Sequence, residues 1–295
     1  QVWVFSYNLD RDSDEPIPIT YSIIGTDSVF ASNYGDITNR LGDGFTDRIV
    51  NGSSEWETMV DQAFAYWGEV SGITFVKVEE TATQVGDIRI GLQSSWAAGN
   101  PAGFSMINMP SYYGSAAGDI WIKSNYDPIN YDTNSSGSMS TLVHEIGHSL
   151  GLAHPHDSGG ISTSDGSIWN AYSIMAYSGD LSLRYGWDID GDGINEFNYG
   201  ERISLIKPAI NDIKAIQYIY GMTPDYNEGN TMYKFEGPIF ESIYDTGGID
   251  TIDLSYYGLN ITLDLRGGTW SQIGYYETSR SVFDAENWQW GNSVY

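Results

Sequence analysis

The chain has 295 residues, 41% of them hydrophobic, with 10 Trp, 22 Tyr and 10 Phe; that much core material excludes a disordered chain and suits one large domain or a large and a small one. Thirty-nine Asp and Glu stand against 13 Lys and Arg, a formal net charge of −26, which excludes nucleic-acid backbones and anionic membrane surfaces as partners and asks for bound cations, calcium first among them. There is no cysteine, so disulfides, thiolate zinc sites and iron–sulfur clusters are excluded as well.

No run of about 18 apolar residues occurs, and the opening QVWVFSYNLD has neither the basic stretch nor the apolar core of a targeting segment. A soluble chain is expected, any targeting segment having been removed or lying outside it. Cysteine-free, acidic and rich in Gly, Asn and Tyr, the composition leans toward a secreted protein stapled by calcium.

In chain order, DRDSDE comes first, with Asp10, Asp12 and Asp14 alternating like calcium ligands but without the glycine such a loop needs. SSEWETMVDQAFAYWG then predicts a helix. Ser54 and Glu57 are spaced as a capping box, and Trp56, Met59, Val60, Ala63, Phe64 and Trp67 share one face as core. ITFVKV and DIRIGL predict strands, the second alternating Ile88, Ile90 and Leu92 with polar or small residues. A Gly-, Ser-, Asn- and Tyr-rich stretch over 93–137 is interrupted by a short strand, DIWI.

SMSTLVHEIGHSL predicts a second helix with Met139, Leu142, Val143, Ile146 and Leu150 on its apolar face. PAINDIKAIQYIYG predicts a third, opened by Pro208 and closed by Gly221. Short strands with Gly turns follow in TMYKFEG, TIDLSYYG and ITLDLRGG. The fold class expected is therefore α+β, with a boundary near residue 224: an α+β part over 1–224 and an all-β part over 225–295.

All four histidines lie between 144 and 156. His144 and His148, four apart on a helix, lie on one face about a turn from each other, close enough to share a metal ion. Gly151 ends the helix cheaply and lets the chain bring back His154 as a third ligand. Glu145 stands next to the first ligand, placed to reach a metal-bound water without itself ligating. Three neutral imidazoles suit one zinc ion with an open position, whose water has a pKa near 7, so the chemistry expected is metal-assisted amide hydrolysis with Glu145 as general base. His156 is left over as a loop residue.

HEIGHSLGLAH resembles the HExxHxxGxxH motif of the metzincin metallopeptidases, matched by His144, Glu145, His148, Gly151 and His154. YSIMAYS resembles their Met-turn, with Met175, on apolar grounds a mere core residue, beneath the metal. Pro155 after the third histidine, Tyr177 two residues after Met175 and the lack of cysteine are similar to the serralysin group, whereas astacins carry Glu after that histidine, and disulfides.

The resemblance implies a twisted, mainly parallel sheet with an antiparallel edge strand, two long helices, an active-site helix bearing the motif, and a small all-β calcium-binding domain. It implies Tyr177 as an additional zinc ligand able to swing to the oxyanion; DIRIGL as the edge strand that pairs with an extended peptide; and YDTGGIDTIDLS as the start of a calcium-binding β-roll. There Asp245, Gly247 and Asp250 would form one site, with Gly248 and Asp253 as contributors, although the repeated GGxGxD nonapeptides do not follow.

DIDGDGINE places Asp188, Asp190 and Asp192 at alternate positions, then the Ile194 carbonyl and Glu196, as in the first nine positions of an EF-hand loop. Tyr199 stands where the closing Glu would be, and no flanking helices are evident, so a calcium loop is expected but not an EF-hand. Together these features describe a secreted, monomeric, zinc-dependent endopeptidase with one or more structural calcium ions, polypeptide substrates and possible control by a proteinaceous inhibitor. The alternative is a calcium-dependent adhesion or surface module with a vestigial metal site, against which the complete ligand set and the intact Glu145 argue.

Overall fold

The computed structural model describes residues 17–32, 34, 41–106, 113–128, 135–155, 172–176, 183–187, 196–197, 205–223, 225–235, 241–255, 261–267, 271–273, 275–278 and 293–294. Its organising element is a six-stranded mixed sheet. β1 (Ile17–Ile23), β3 (Ile73–Lys77), β4 (Ile88–Gln93) and β6 (Ile120–Lys123) run parallel in the order β3-β1-β4-β6. β5 (Gly103–Ser105) lies antiparallel outside β6, and the short β2 (Ile49–Val50) pairs antiparallel with the end of β4. The mainly parallel sheet with an antiparallel edge is as expected.

The edge strand is nevertheless β5 and not DIRIGL. β4 has β1 and β2 on one side and β6 on the other, and all six of its residues are buried. Its alternation looked like that of a half-solvated strand, but both faces are covered. Ile88, Ile90 and Leu92 meet the helices, while Arg89, Gly91 and Gln93 face the opposite layer, where the Arg89 guanidinium and the Gln93 amide nitrogen find partners. Arg89 bonds both oxygens of Glu80, and Gln93 donates to the Phe45 carbonyl. A polar residue with a buried partner is indistinguishable in sequence from one in water.

α1 (Ser54–Glu69) and α2 (Ser135–Ser149) cover one face of the sheet. Trp56, Met59, Val60, Ala63, Phe64 and Trp67 are all buried against Leu142, Val143, Ile146 and Leu150 and the strand residues Ile19, Ile88, Ile90, Leu92, Ile120 and Ile122. The helical periodicity thus foretold the core face of both helices. The opposite face carries a second, aromatic cluster of Tyr34, Phe45, Phe104 and Trp121 with Ile24, Leu41, Ile49 and Met106.

The cap of α1 differs from expectation by one residue. Ser53, not Ser54, is the N-cap, its Oγ accepting the Trp56 N–H at 3.0 Å. With Ser53 in that position the third helical residue is Trp56, so no box with Glu57 can form. Asp127, beyond β6, takes the part of the missing glutamate: its carboxylate accepts the Ser53 N–H at 2.9 Å and the Ser53 hydroxyl at 2.6 Å.

α3 (Ile210–Tyr220) packs its Ile213, Ile216 and Ile219 into the main core, and Gly221 follows it at φ 83°. Pro208 stands before the N-cap Ala209. After the zinc-motif helix, β7 (Leu183–Trp187) and β8 (Glu196–Phe197) form an antiparallel pair. Downstream, β9 (Met232–Lys234) and β11 (Thr251–Asp253) pair in parallel, with β10 (Ser242–Ile243) between them in sequence. β12 (Ile261–Thr262) and β13 (Gln272–Ile273) are antiparallel, β14 (Tyr275–Thr278) pairs with β7, and β15 (Ser293–Val294) pairs with β10. Among the described residues no helix is long and apolar enough to cross a membrane.

Asp119, just before β6, is 1% exposed. It accepts the Tyr34 hydroxyl at 2.6 Å and the Arg89 N–H at 3.2 Å. Burial pushes its carboxyl up to about 7, against the lowering effect of Tyr34 and Arg89. The folded chain therefore keeps this proton up to about pH 7, whereas an unfolded chain releases it near pH 4. Its contribution to stability is complete below about pH 4 and is lost as pH rises through 7. Between pH 5 and 8 the wild-type melting temperature should fall more steeply than that of Asp119→Asn, and parallel curves would refute the assignment.

Candidate metal centre

α2 places His144 and His148 one turn apart, 7% and 8% exposed. The helix ends in a Schellman turn. Gly151 adopts φ 98°, its N–H reaches the His148 carbonyl at 3.0 Å, and the Leu152 N–H reaches the Gly147 carbonyl at 2.9 Å. This reversal carries His154 back to the two helical imidazoles.

The orientation of those imidazoles is set by backbone carbonyls. His148 Nδ1 is 2.7 Å from the Leu152 carbonyl, which belongs to the Schellman turn itself. His144 Nδ1 is 2.8 Å from the carbonyl of Ile174, one residue before Met175. A carbonyl only accepts, so each Nδ1 carries the proton and each Nε2 presents a lone pair. Those lone pairs converge with His154: Nε2 of His148 and His154 are 2.9 Å apart, and those of His154 and His144 are 3.3 Å apart.

Two acceptor nitrogens do not hydrogen-bond each other, and three converging ones call for a cation. Nitrogens 2.0–2.1 Å from a tetrahedral zinc ion stand about 3.3 Å apart, close to the observed spacing. Among the described residues these three are the group of His, Asp or Glu side chains gathered closely enough to hold an ion. The residues fit zinc.

Below the cradle, Met175 is 1% exposed and packs against the helix at Gly147. A Cβ at Gly147 would stand 2.5 Å from Met175 Sδ and 3.0 Å from Trp67 Cζ2, so the glycine inside HEIGH makes room for the turn. Trp67 also donates its indole N–H to the Val143 carbonyl of α2 at 3.0 Å.

The turn is held from underneath by a residue that the periodicity of α3 left unremarked. Asp212 is 2% exposed and accepts the Ser173 hydroxyl at 2.6 Å, the Ile174 N–H at 2.7 Å and the Ala209 N–H at 2.8 Å. Burial pushes its carboxyl up to about 6, while these bonds pull the other way. Ile174 thus gives its N–H to Asp212 and, from the next peptide group, offers its carbonyl to His144. An Asp in the first turn of a helix signals capping; its reach to the Met-turn, 38 residues earlier, has no local signature.

Glu145 follows His144 on α2 and is 5% exposed. Tyr177, Asp188, Asp190, Asp192 and Ile194 lie outside the described residues, as do Asp10, Asp12, Asp14 and His156. Glu196 opens β8, which pairs with β7 on the other side of residues 188–195. Asp245 and Asp250 stand in a loop stacked on residues 227–231. Asp245 accepts the Tyr233 hydroxyl and, at 2.8 Å, the Gly247 N–H, and Asp250 accepts the Thr231 N–H at 3.0 Å. Gly248, at φ 107°, lies so close to Gly229 that a Cβ would come within 2.4 Å of its carbonyl oxygen. Asp253 is turned to the Ser255 N–H at 2.9 Å. The upper loop, 227–231, was not singled out by its sequence.

The matrixin family model matches residues 43–165. Serralysin G of Dickeya chrysanthemi is 32% identical over 234 residues, covering 72% of this chain and 46% of its own length. Metallopeptidase AprA of Pseudomonas marginalis is 26% identical over 288 residues, covering 90% of this chain and 56% of its own, and metalloprotease AprA of Pseudomonas entomophila is 28% identical over 237 residues, 72% and 46%. The chain thus spans about half the length of the curated relatives it matches. A mixed sheet, a zinc-motif helix closed by a glycine turn and a methionine turn beneath the histidines define a metzincin catalytic fold. Within that class, the chain belongs to the serralysin-type metzincins.

Asp212→Ala would strand three buried donors, at a cost of roughly 2–4 kcal/mol in stability, and release the Ile174 carbonyl that orients His144. Zinc affinity, measured by competition with a chromogenic chelator, should fall about tenfold or more. Unchanged affinity in a folded variant would show that the Met-turn holds His144 without Asp212.

Proposed function

We propose that this protein is a secreted, zinc-dependent endopeptidase that hydrolyses peptide bonds of extracellular proteins. The observation that carries the proposal is the convergence of three imidazole Nε2 atoms, two of them with Nδ1 committed to a backbone carbonyl, beside a buried glutamate on the same helix.

His144, His148 and His154 would hold the ion, and Tyr177 would be a fourth protein ligand in the resting enzyme. Zinc bound there supplies a Lewis acid and brings the pKa of water down to about 7. Glu145 accepts the proton of the attacking water and then delivers it to the leaving amine nitrogen. Ile174 and Leu152 keep the helical imidazoles in the right tautomer throughout. Tyr177 hydrogen-bonds the developing oxyanion.

Residues 1–224 would form the catalytic domain and 225–295 the start of a calcium-binding β-roll. In support of the latter, β9 and β11 pair in parallel nineteen residues apart (Met232 with Thr251), Asp250 accepts the Thr231 N–H of the stacked loop, and Asp245 accepts the hydroxyl of Tyr233 on β9. Calcium there, and in the loop of Asp188, Asp190, Asp192, Ile194 and Glu196, would offset part of the −26 charge.

A peptide-library digest with and without a zinc chelator tests the activity; cleavage that survives zinc removal would refute it. Glu145→Gln should keep one zinc per chain and lose peptidase activity by a factor of about 10² or more, and casein cleavage near the wild-type rate would remove Glu145 from its role. A chelator selective for calcium should lower the melting temperature while zinc stays bound. An unchanged curve would count against the calcium loops.

A further inference from the structure

β5 is the antiparallel edge of the sheet, and the zinc-motif helix packs against it. In β5, Gly103 pairs with Ile122 and Ser105 with Ile120. At Gly103 a side chain would clash with the neighbouring strand and press on the helix. A Cβ there would stand 2.5 Å from Ile122 Cδ1, 3.2 Å from Glu145 Cγ and 3.2 Å from the Trp121 carbonyl oxygen.

Backbone conformation does not explain the glycine. The described glycines with positive φ include Gly99, Gly114 and Gly118 but not Gly103, so alanine could adopt its dihedrals. Space alone excludes a side chain. The Trp121 oxygen is strand backbone and cannot yield, while Ile122 Cδ1 and the Glu145 methylenes can give way only within a buried surrounding, Ile122 being fully buried in the main core and Glu145 5% exposed.

We propose that Gly103 is a positioning residue for Glu145, its missing side chain letting the edge strand lie against the glutamate's methylenes and so fixing where the carboxylate stands beside the histidine cradle. The strand acts as a stop for Glu145, which otherwise has three rotatable side-chain bonds. This assignment rests on the endopeptidase reading, because a misplaced general base is felt only if Glu145 moves protons.

Gly103→Ala forces Ile122 Cδ1 back by about an ångström and Glu145 Cγ by a few tenths. A misplacement of a full ångström costs about 10²-fold, so a few tenths at a general base costs less. The expected result with a fluorogenic peptide is a fall in kcat of roughly three- to tenfold, KM within about twofold of wild type, and one zinc per chain retained. Ile122→Val removes the methyl nearest the new Cβ. In the double variant Gly103→Ala/Ile122→Val, the alanine can settle toward residue 122 and away from the glutamate, so kcat should return to that of Ile122→Val alone.

A Gly103→Ala protein with wild-type kcat would overturn the proposal. So would a loss of kcat shared equally by zinc content and melting temperature and not relieved by Ile122→Val, since that pattern describes general damage. A failure of the underlying reading looks different: the wild-type protein itself would then cleave nothing, whatever stands at 103.

Discussion

Two backbone carbonyls decide what this site can be. The Leu152 and Ile174 oxygens each take the Nδ1 proton of a helical histidine, which leaves both Nε2 lone pairs aimed at one point with His154 closing the third side. Without those acceptors the imidazoles could rotate, change tautomer or hydrogen-bond each other, and the helix would carry histidines rather than a cradle. Both carbonyls belong to turns whose geometry is enforced separately. The first is made by Gly151 in a Schellman turn, and the second by Asp212 beneath the Met-turn.

Glycine spacing does much of the remaining work, and each position answers a different steric demand. Gly151 supplies a left-handed conformation, Gly147 gives Met175 and Trp67 room beside the helix, and Gly103 gives the glutamate room beside the sheet. The zinc-motif helix is thus approached closely on two sides, by a turn below and by a strand alongside. Close approach of this kind substitutes shape for polar contacts in holding the site still.

What the sequence made legible was what it encodes within a few residues. His144, Glu145, His148 and Gly151 sit on one helix and its end, so spacing alone predicts their relation, and the apolar stripes of α1 and α2 reappear intact in the core. Features that depend on distant partners were read less well. Ser53 displaces Ser54 as the cap because the carboxylate that completes it comes from Asp127. The resemblance that made DIRIGL an edge strand could not show its neighbours, and the polar Arg89 within it gives no sign in sequence that Glu80 waits as a buried partner. Asp212 passed as an ordinary first-turn residue for the same reason.

The long-range cap of α1 also bears on how the chain reaches this structure. Ser53 and Asp127 are separated by 74 residues, with four strands of the sheet between them. α1 can coil early from its own sequence, but its first turn gains a full set of partners only after β6 has been laid down and Asp127 delivered to it. The helix start and the last parallel strand therefore mature together, late and cooperatively, as expected where contacts far apart in sequence must close before they stabilise anything. Since α1 is the wall against which the zinc-motif helix packs, the metal cradle inherits that order of assembly.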